Sequence, residues 1–473
     1  MVLEVKTYNQ LGDTRTAGEA EVNHRRGAGS RSRHRRKPER QSAPGATGEE
    51  VSSVMTEPTL PLSPYRALDL TDEKGFLCGK ILGDLGADVI KIERPGGDPA
   101  RNIGPFHHDI PHPEKSLYWF AYNTSKRGIT LNIETADGKD IFQRLVKTAD
   151  FVIESFPPGY MDSLGLGYSA LSQIHHPLIV TSITPFGQSG PWKDYKAPDL
   201  VAMSLSGLVL HTGDPDRPPV RIGVPQAYLQ AGAQAAVGTM VAHYHRQLTG
   251  EGQHVDVSIQ ESVIWAAAPI QQFYELDPRW GLMKMIPIRG SRTLRGAVVV
   301  RSMWPCKDGY ICWRMMTGPG IGLRIRRLVE WMDIEDAAGS MMDVNWEEVD
   351  LLEVTQEQVD QWEALWADFF EARTKAELYE GAVERGIILY PVNTMKEVVE
   401  SPHLAARDFF VPLEHAELGT IVTYPGPPFK SSEAGPKLRC RAPLIGEHNQ
   451  DIYVEELGLS KAQLAALKER KVI

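Results

Sequence analysis

Short apolar runs alternate with segments of helical periodicity from residue 62 onward. The run Tyr65–Leu70 predicts a short buried strand. Apolar residues recur at helical spacing in Gly75–Gly86, and Ala87–Glu93 is again apolar on both faces at its centre. A strand, a helix and a strand within about 30 residues form a right-handed unit with parallel strands. This segment therefore predicts the first unit of a parallel sheet.

The same alternation continues through the next 150 or so residues. Because strands alternate with helices, we expect a doubly wound, Rossmann-like α/β domain that binds its ligand at the carboxyl ends of the strands. The predicted strands are Ile129–Ile133, Phe151–Glu154, Leu178–Ile183 and Val255–Val257, and the predicted helices are Ala136–Thr148, Tyr168–Ile174 and the Ala-rich Pro225–Gln247.

A second region begins after about residue 275. Gly296–Arg301 and Gly309–Trp313 predict paired strands, whereas Val359–Glu371 and Lys375–Arg385 predict helices. We therefore expect four segments: a disordered N-terminal extension over 1–60, a large α/β domain over 61–275, a smaller α+β domain over 276–410, and a return to the large domain over 411–473.

Composition and charge narrow the classes of partner. The 473 residues are 42% hydrophobic and 24% charged, as in folded globular proteins, and the longest apolar runs are too short to cross a bilayer. The net charge of −10 argues against nucleic acid as the main partner. The basic stretch 25–40 is either a nucleic-acid or membrane arm or, as we favour, a disordered tail or upstream sequence preceding a later start at Met55.

Cysteine usage and common motifs give little chemistry by themselves. Four cysteines without a CxxC pair indicate a reducing compartment, and we expect a cytoplasmic protein. The sequence contains no P-loop, GxGxxG, GxSxG or HExxH motif. His107, His108, Asp109 and His112 match no zinc spacing, so we interpret them as a solvated loop. Taken alone, these features predict only a large α/β protein.

Six ordered segments carry a more specific resemblance. They are LGDLGADVIKIERPGGDPAR (82–101), NTSKRGITLNI (123–133), ADFVIESFPPGYMDSLGLGY (149–168), TPFGQSGP (184–191), TGEGQHVDVSIQES (249–262) and APLIGEHNQDI (442–452). In content, order and spacing they resemble the family III coenzyme A transferases. The resemblance covers nearly all of the chain after residue 62. It implies a large and a smaller domain, two interlocked subunits, and coenzyme A or acyl-CoA as substrate with no tightly bound cofactor and no metal.

The resemblance also implies positions for CoA contacts. They are Glu73 and Lys74, Arg94, Leu131, Asn132, Ile133 and Glu134, Ser155, Phe156 and Pro157, Ser163, and Lys196, Ala197, Pro198 and Asp199. Arg94 and Lys196 suit phosphate, which favours cationic donors. Family members often carry Arg in place of Pro157 and Ser163. Either CoA is held here by fewer charges, or a partner subunit supplies them.

The aspartate that becomes acylated in the family is missing. It lies four residues before a glycine at the start of the Ala-rich helix, and the matching residue in PPVRIGVPQAYLQAG (218–232) is Tyr228. A phenol has a pKa of about 10 and cannot form the mixed anhydride or carry CoA as a thioester. Tyr228 either fills the space left by a lost function, which we favour, or hydrogen-bonds a substrate carbonyl. Asp199 is a possible auxiliary acid.

These features suggest one leading function and two alternatives. We expect a subunit of a CoA-transferase that moves CoA from an acyl-CoA such as succinyl-CoA to a carboxylic acid, with a homologous partner subunit supplying the aspartate. The segment 62–93 is similar to the aspartate-free subunit of a two-component member acting on an aromatic succinate. The alternatives are a non-catalytic CoA-binding protein, or an acyl-CoA isomerase, lyase or racemase of the same family. We expect neither nucleic acid nor membrane as a partner.

Overall fold

The computed structural model describes residues 60–214, 217–268, 292–295, 298–318 and 320–473. The predicted N-terminal extension over 1–60 lies outside the described residues except for Leu60, and so does the basic stretch 25–40. In the described part of the chain, no helix has the length and apolar character needed to cross a membrane.

The larger sheet contains six parallel strands. They are β1 (Arg66–Asp69), β2 (Asp88–Glu93), β3 (Lys126–Thr130), β4 (Phe151–Glu154), β5 (Ile179–Thr184) and β6 (His254–Ser258). The strand order is β3-β2-β1-β4-β5-β6, so the winding reverses between β1 and β4. This confirms the doubly wound α/β fold.

Helices cover both faces of this sheet. The helices are α1 (Phe76–Asp84), α2 (Leu117–Tyr122), α3 (Ala136–Val146), α4 (Tyr160–Ser163), α5 (Tyr168–Ile174), α6 (Asp199–Leu205), α7 (Gln226–Thr249) and α8 (Ile259–Ala266), with 3-10 turns at Pro99–Asn102, His107–Asp109 and Leu208–His211. Leu68 of β1 and Leu70 just after it join the core under α3 and α5, whereas Ala67 of β1 joins the core under α1 and α7.

Strand β3 begins earlier than the sequence pattern predicts. The apolar run indicated Ile129–Ile133, but the strand starts at Lys126 and ends at Thr130. Lys126 is buried because its ammonium group pairs with the Asp69 carboxylate at 2.8 Å. A polar residue in a buried strand has no apolar signal, which explains the shift of three residues.

The second region contains antiparallel strands and helices around a tryptophan-rich core. The strands are β7 (Arg292–Arg295), β8 (Val298–Arg301), β9 (Met303–Cys306), β10 (Gly309–Cys312) and β11 (Tyr390–Val392), with a 3-10 turn at Gly339–Asp343 and the helices α9 (Gly322–Asp333), α10 (Gln356–Glu371) and α11 (Lys375–Arg385). Trp304, Trp313 and Trp366 pack against one another in its core. This smaller region confirms the expected α+β character.

The predicted pairing of the strands at 296–301 and 309–313 is wrong. Strand β10 pairs with β9 and β11, whereas β8 pairs with β7. The segment between the two predicted strands is itself the strand β9, which turns tightly into β10 at Lys307 and Asp308. Residues 296 and 297 lie outside the described part of the chain.

After β11 the chain contains α12 (Met395–Val399), α13 (Pro402–Ala406), β12 (Phe410–His415), β13 (Thr420–Pro425), a π-helix (Asp451–Glu456) and α14 (Lys461–Glu469). The last part of the chain packs against the larger domain. The Pro443 carbonyl accepts hydrogen bonds from Arg101 at 2.8 Å and from the Trp119 indole at 3.1 Å. The Val472 carbonyl accepts from the Asn132 N–H at 2.7 Å. The exact division into domains and the interlocked dimer stay predictions.

Candidate active site

The turn after β1 and the loop after β4 meet where the strand order reverses. Ser155 Oγ accepts a hydrogen bond from the Asp72 N–H at 2.9 Å and donates to Asp72 Oδ1 at 2.8 Å. Asp72 Oδ1 also accepts from the Lys74 N–H at 3.1 Å, and the Lys74 ammonium group pairs with the other carboxylate oxygen. The structure thus brings together Glu73, Lys74 and Ser155 through Asp72, a residue that sequence reasoning missed.

A second group of predicted residues surrounds Tyr160 in α4. The Tyr160 hydroxyl donates to Glu134 Oε1 at 2.7 Å, and the ring lies 4.7 Å from the Phe156 ring, centroid to centroid. Ser163 Oγ donates to the Tyr160 carbonyl at 2.7 Å. Burial and then the Glu134 carboxylate raise the pKa of Tyr160 to about 12, so it remains a neutral donor. The loops after β3 and β4 are joined by this tyrosine.

Two predicted cations remain exposed near this edge of the sheet. Arg94 follows β2, and its charge lies close enough to Tyr160 to lower the pKa of that phenol against the two larger effects. Lys196 precedes α6. Within the described ranges, neither cation forms an ion pair, so the structure does not connect them to the other predicted residues.

The remaining residues that the resemblance predicts as CoA contacts differ in how exposed their side chains are. Leu131 and Ile133 are buried in the sheet core, and Ala197 is buried in the core that contains α6 and α7, so their side chains are closed to a ligand. Asn132 Oδ1 accepts from the Glu134 N–H at 3.0 Å, which shapes the turn after β3. Pro157 is exposed in the loop after β4.

Asp199 holds the amino end of α7. Its Oδ1 accepts from the N–H groups of Ala227 at 2.9 Å and Tyr228 at 3.2 Å, so it serves as a capping acceptor from a neighbouring element. Its Oδ2 is buried and has no hydrogen-bond partner among the described residues. Burial raises the pKa of Asp199 despite the two N–H donors.

Tyr228, which the resemblance aligns with the family aspartate, lies in the first turn of α7. Its side chain is 9% exposed, and its hydroxyl group makes no hydrogen bond within the described part of the chain. Burial raises the pKa of Tyr228, and the negative charges of Glu73 and Asp72 raise it further. The phenol is therefore neutral at physiological pH. Helix α7 is held close to α1 at Gly232, where an added Cβ would lie 2.9 Å from the Leu77 Cβ.

Removal of the Asp199 cap should loosen α7. We expect Asp199→Ala to lower the free energy of unfolding by about 1–2 kcal/mol, because two helix N–H groups lose their acceptor. Urea unfolding followed by circular dichroism measures the change, with the exposed Asp194→Ala as control. An unchanged unfolding midpoint would show that the cap contributes nothing to stability.

A buried ion cluster underlies the turn after β1. Asp69 accepts from the Lys126 ammonium group at 2.8 Å, and the Lys91 ammonium group lies 3.7 Å from the other carboxylate oxygen. All three side chains are inaccessible to solvent. Asp69 Oδ1 also accepts from the Thr71 N–H at 3.0 Å, which ties the cluster to the turn. Sequence reasoning missed these residues, although a lysine inside the apolar strand VIKIE was a usable signal.

The sequence matches a known protein family over most of its length. The model described as CoA-transferase family III matches residues 62–449. A solved CAIB/BAIF family protein from Brucella suis superposes with a TM-score of 0.72 at 28% identity, over 84% of this chain and 99% of that chain.

Curated relatives are similar along most of their length. The succinyl-CoA:(R)-benzylsuccinate CoA-transferase subunit BbsE of Thauera aromatica is 36% identical over 83% of this chain and 93% of its own. The succinyl-CoA–D-citramalate CoA-transferase of Chloroflexus aurantiacus is 31% identical over 88% and 99%, and the formyl-CoA:oxalate CoA-transferase of Streptomyces avermitilis is 31% identical over 88% and 100%. The chain therefore belongs to CoA-transferase family III, a family of enzymes whose substrates are CoA thioesters.

Proposed function

We propose that this chain is the aspartate-free subunit of a heteromeric CoA-transferase, in which a homologous partner subunit carries the nucleophilic carboxylate. The observation that carries the proposal is Tyr228 at the amino end of α7. In the family reaction a carboxylate attacks the acyl-CoA carbonyl and expels the CoA thiolate, which then attacks the resulting anhydride and releases the donor acid. A neutral phenol cannot form that anhydride.

Asp199 does not replace the missing nucleophile. Its Oδ1 is occupied by two helix N–H groups, and its Oδ2 is closed off from solvent. A carboxylate in this setting stabilises the helix but has no open line of approach to a thioester carbon. The chain thus retains the helix terminus on which the family places its nucleophile, without a carboxylate that is open to substrate.

An exposed apolar stripe on α7 supports the partner subunit. Val237, Val241, Tyr244 and Leu248 lie at helical spacing on one face, and each is more than half exposed. Soluble monomers rarely expose such contiguous apolar surface. We propose that the Asp-containing homologue covers this face in the interlocked assembly.

An aromatic succinate is the acceptor acid we propose, with succinyl-CoA as donor. The relative named for benzylsuccinate shares more identity with this chain than those named for citramalate or oxalate. Tyr118 and Tyr122 of α2 also contact each other, with ring centroids 5.0 Å apart. The pKa of Tyr118 is raised by burial and then by Tyr122 and Glu73, with a smaller effect of Tyr228. Glu73 also raises the pKa of Tyr228, so Tyr118 and Tyr228 lie near the same carboxylate. Such a surface suits an aryl group.

The residues around the reversal of strand order form the CoA site in this proposal. Arg94 and Lys196 supply phosphate contacts, and the turns at Glu73–Lys74, Leu131–Glu134 and Ser155–Pro157 contact the rest of the nucleotide, with Ser163 and Ala197–Asp199 at its edge. CoA is a substrate and no resident cofactor is required. We place the enzyme in the cytoplasm, where acyl-CoA substrates and reduced cysteines coexist.

Loss of one phosphate contact should weaken CoA binding. We expect Arg94→Gln to raise the Kd for CoA about tenfold, since a hydrogen bond to a charged group contributes about 1.5 kcal/mol or more. Isothermal titration calorimetry measures the Kd. Arg407→Gln, at another exposed arginine that forms no ion pair within the described residues, is the matched control. Equal Kd values for the two variants would exclude Arg94 as a contact.

Affinity purification of the tagged chain from its native cell tests the assignment. We expect a homologous chain with Asp in the Tyr228 position to co-purify, and CoA exchange between succinate and an aromatic succinate to follow the complex. If the tagged chain is recovered without a partner, binds acyl-CoA and shows no CoA exchange, the result would instead support a CoA-binding protein. Conversion of an acyl-CoA without exchange of CoA would support an isomerase, lyase or racemase.

A further inference from the structure

A buried arginine closes the loop that follows β2. This loop, Arg94–Asp98, begins with the exposed Arg94 and leads into the 3-10 turn that contains Arg101. The Arg101 guanidinium donates from Nε to Glu93 Oε2 at 2.6 Å and from Nη2 to Glu93 Oε1 at 2.8 Å. Because Glu93 immediately precedes the loop and Arg101 follows it, this bidentate pair joins the two ends of the loop.

The backbone of the loop is bonded to the same pair. Glu93 Oε2 also accepts from the Asp98 N–H at 2.8 Å, and the Asp98 carbonyl accepts from the Arg101 N–H at 3.1 Å. Within the loop, the Gly97 N–H donates to the Arg94 carbonyl at 2.9 Å. Gly97 has a φ of +94°, a left-handed conformation that glycine adopts without strain. The path of the loop therefore depends on the Glu93 carboxylate and on the arginine that orients it.

The C-terminal part of the chain holds Arg101 from the other side. The Pro443 carbonyl accepts from Arg101 Nη2 at 2.8 Å, and Glu114 Oε2 accepts from Nη1 at 2.7 Å. The other oxygen of Glu114 accepts from the Ile445 N–H at 2.9 Å. The guanidinium carbon lies 3.8 Å from the Trp119 ring centroid. Since the Arg101 side chain is only 1% exposed, these contacts fix it in one orientation away from solvent.

Ile445 also supports the inner side of the loop. An added Cβ at Gly97 would lie 2.8 Å from Ile445 Cδ1 and 3.1 Å from Arg101 Cδ, so the loop backbone is packed against both side chains. Gly97 is buried, whereas Arg94 is exposed. The loop is thus fixed on its inner side and presents the Arg94 guanidinium on its outer side.

We infer that Arg101 is a positioning residue for coenzyme A, because its bidentate pair with Glu93 holds the loop that presents Arg94 to the phosphates. The inference deepens the proposed function and rests on it, since Arg94 is one of the proposed phosphate contacts. Arg101 acts through the loop. A buried ion pair adds little net stability compared with apolar packing, but its two directional bonds define a geometry.

Arg101→Lys tests this role, because lysine keeps the charge but cannot form the bidentate pair. We expect the Kd for CoA, measured by isothermal titration calorimetry on the full chain, to rise about fivefold. In the Arg94→Gln background the same substitution should change the Kd by less than about twofold, because the residue through which Arg101 acts is already lost. Arg127→Lys is the matched control: it removes a bidentate pair with Asp88 at the amino ends of β2 and β3, and should leave the Kd unchanged.

Hydrogen exchange without CoA tests the loop by itself. In Arg101→Lys the amides of Gly97 and Asp98 should exchange at least about tenfold faster, while the amides of β2 keep their protection. Glu114→Gln is a milder second variant, because its side chain is 24% exposed and Glu93 keeps its partner. It should change the exchange and the Kd in the same direction as Arg101→Lys.

The outcomes separate this inference from the proposed CoA site. Unchanged exchange at Gly97 and Asp98, or a loss of affinity in Arg101→Lys that persists in the Arg94→Gln background, would overturn the inference. An unchanged Kd in Arg101→Lys would also overturn it if Arg94→Gln still weakens binding, and the CoA site would then stand. If Arg94→Gln binds CoA as tightly as the unmodified chain, the proposed phosphate contact fails, the positioning role fails with it, and only the ordering of the loop by Arg101 stands.

Discussion

Replacement of Asp69 with asparagine is expected to lower the free energy of unfolding by about 3–5 kcal/mol, because removing one partner of a buried ion pair leaves uncompensated charge. Here two lysines, Lys91 and Lys126, would both lose their counterion in a region closed to solvent. Urea unfolding monitored by circular dichroism measures the loss. Lys126→Met should cost less, since it leaves Asp69 paired with Lys91.

Asp88→Asn is the matched control for the effect of burial. Asp88 pairs with Arg66 and Arg127 on the same sheet but is about one-third exposed, so its loss should cost about 1 kcal/mol or less. Equal losses at Asp69 and Asp88 would contradict the argument, since burial is the main difference between the two sites.

The pH dependence of stability gives the same cluster a second readout. Burial raises the pKa of Asp69, but Lys126 and Lys91 together outweigh burial and hold it below its ordinary value of 3.8. A lowered pKa stabilises the fold above the unfolded value and loses that contribution as the pH falls through the folded value. The unmodified chain should therefore lose stability below about pH 4, and Asp69→Asn should lack this component.

Strand positions were predictable wherever the strand is apolar on both faces. Phe151–Glu154 was predicted with its observed bounds, as was the helix Lys375–Arg385, which begins at a Thr capping box and ends at Gly386. Prediction failed at two strands whose residues do not favour a strand on their own. Strand β3 starts at the buried Lys126, and β9 contains Pro305. Local propensity is low for both residues, so the tertiary structure determines that they lie in strands.

The resemblance predicts which positions form the site, but it does not predict the contacts between them. The CoA-contact positions and the missing carboxylate stay predictions, and the structure shows Tyr228 in the first turn of α7. The bonds that organise these turns join residues far apart in the chain, such as Asp72 with Ser155 and Asp199 with Ala227. A hydrophobic pattern carries no information on such pairs, because each partner reads as an ordinary polar loop residue.

The chain alone should transfer CoA at least about a thousandfold more slowly than the proposed complex with an Asp-containing partner, because the covalent route needs a carboxylate that can be acylated. Succinyl-CoA and an aromatic succinate, assayed by chromatography of the CoA products, measure both rates. Quenching during turnover followed by mass spectrometry should place the acyl or CoA adduct on the partner's aspartate and none on this chain.

Two variants separate the roles of the subunits in that assay. Asparagine in place of the partner's aspartate should abolish transfer, whereas Tyr228→Phe should change the rate of the complex by less than about threefold, because the phenol hydroxyl has no partner to lose among the described residues. A large loss in Tyr228→Phe would instead mean that the hydroxyl binds substrate. A covalent adduct on this chain in the absence of the partner would refute the division of labour, because it would require a nucleophile that neither Tyr228 nor the capped Asp199 provides.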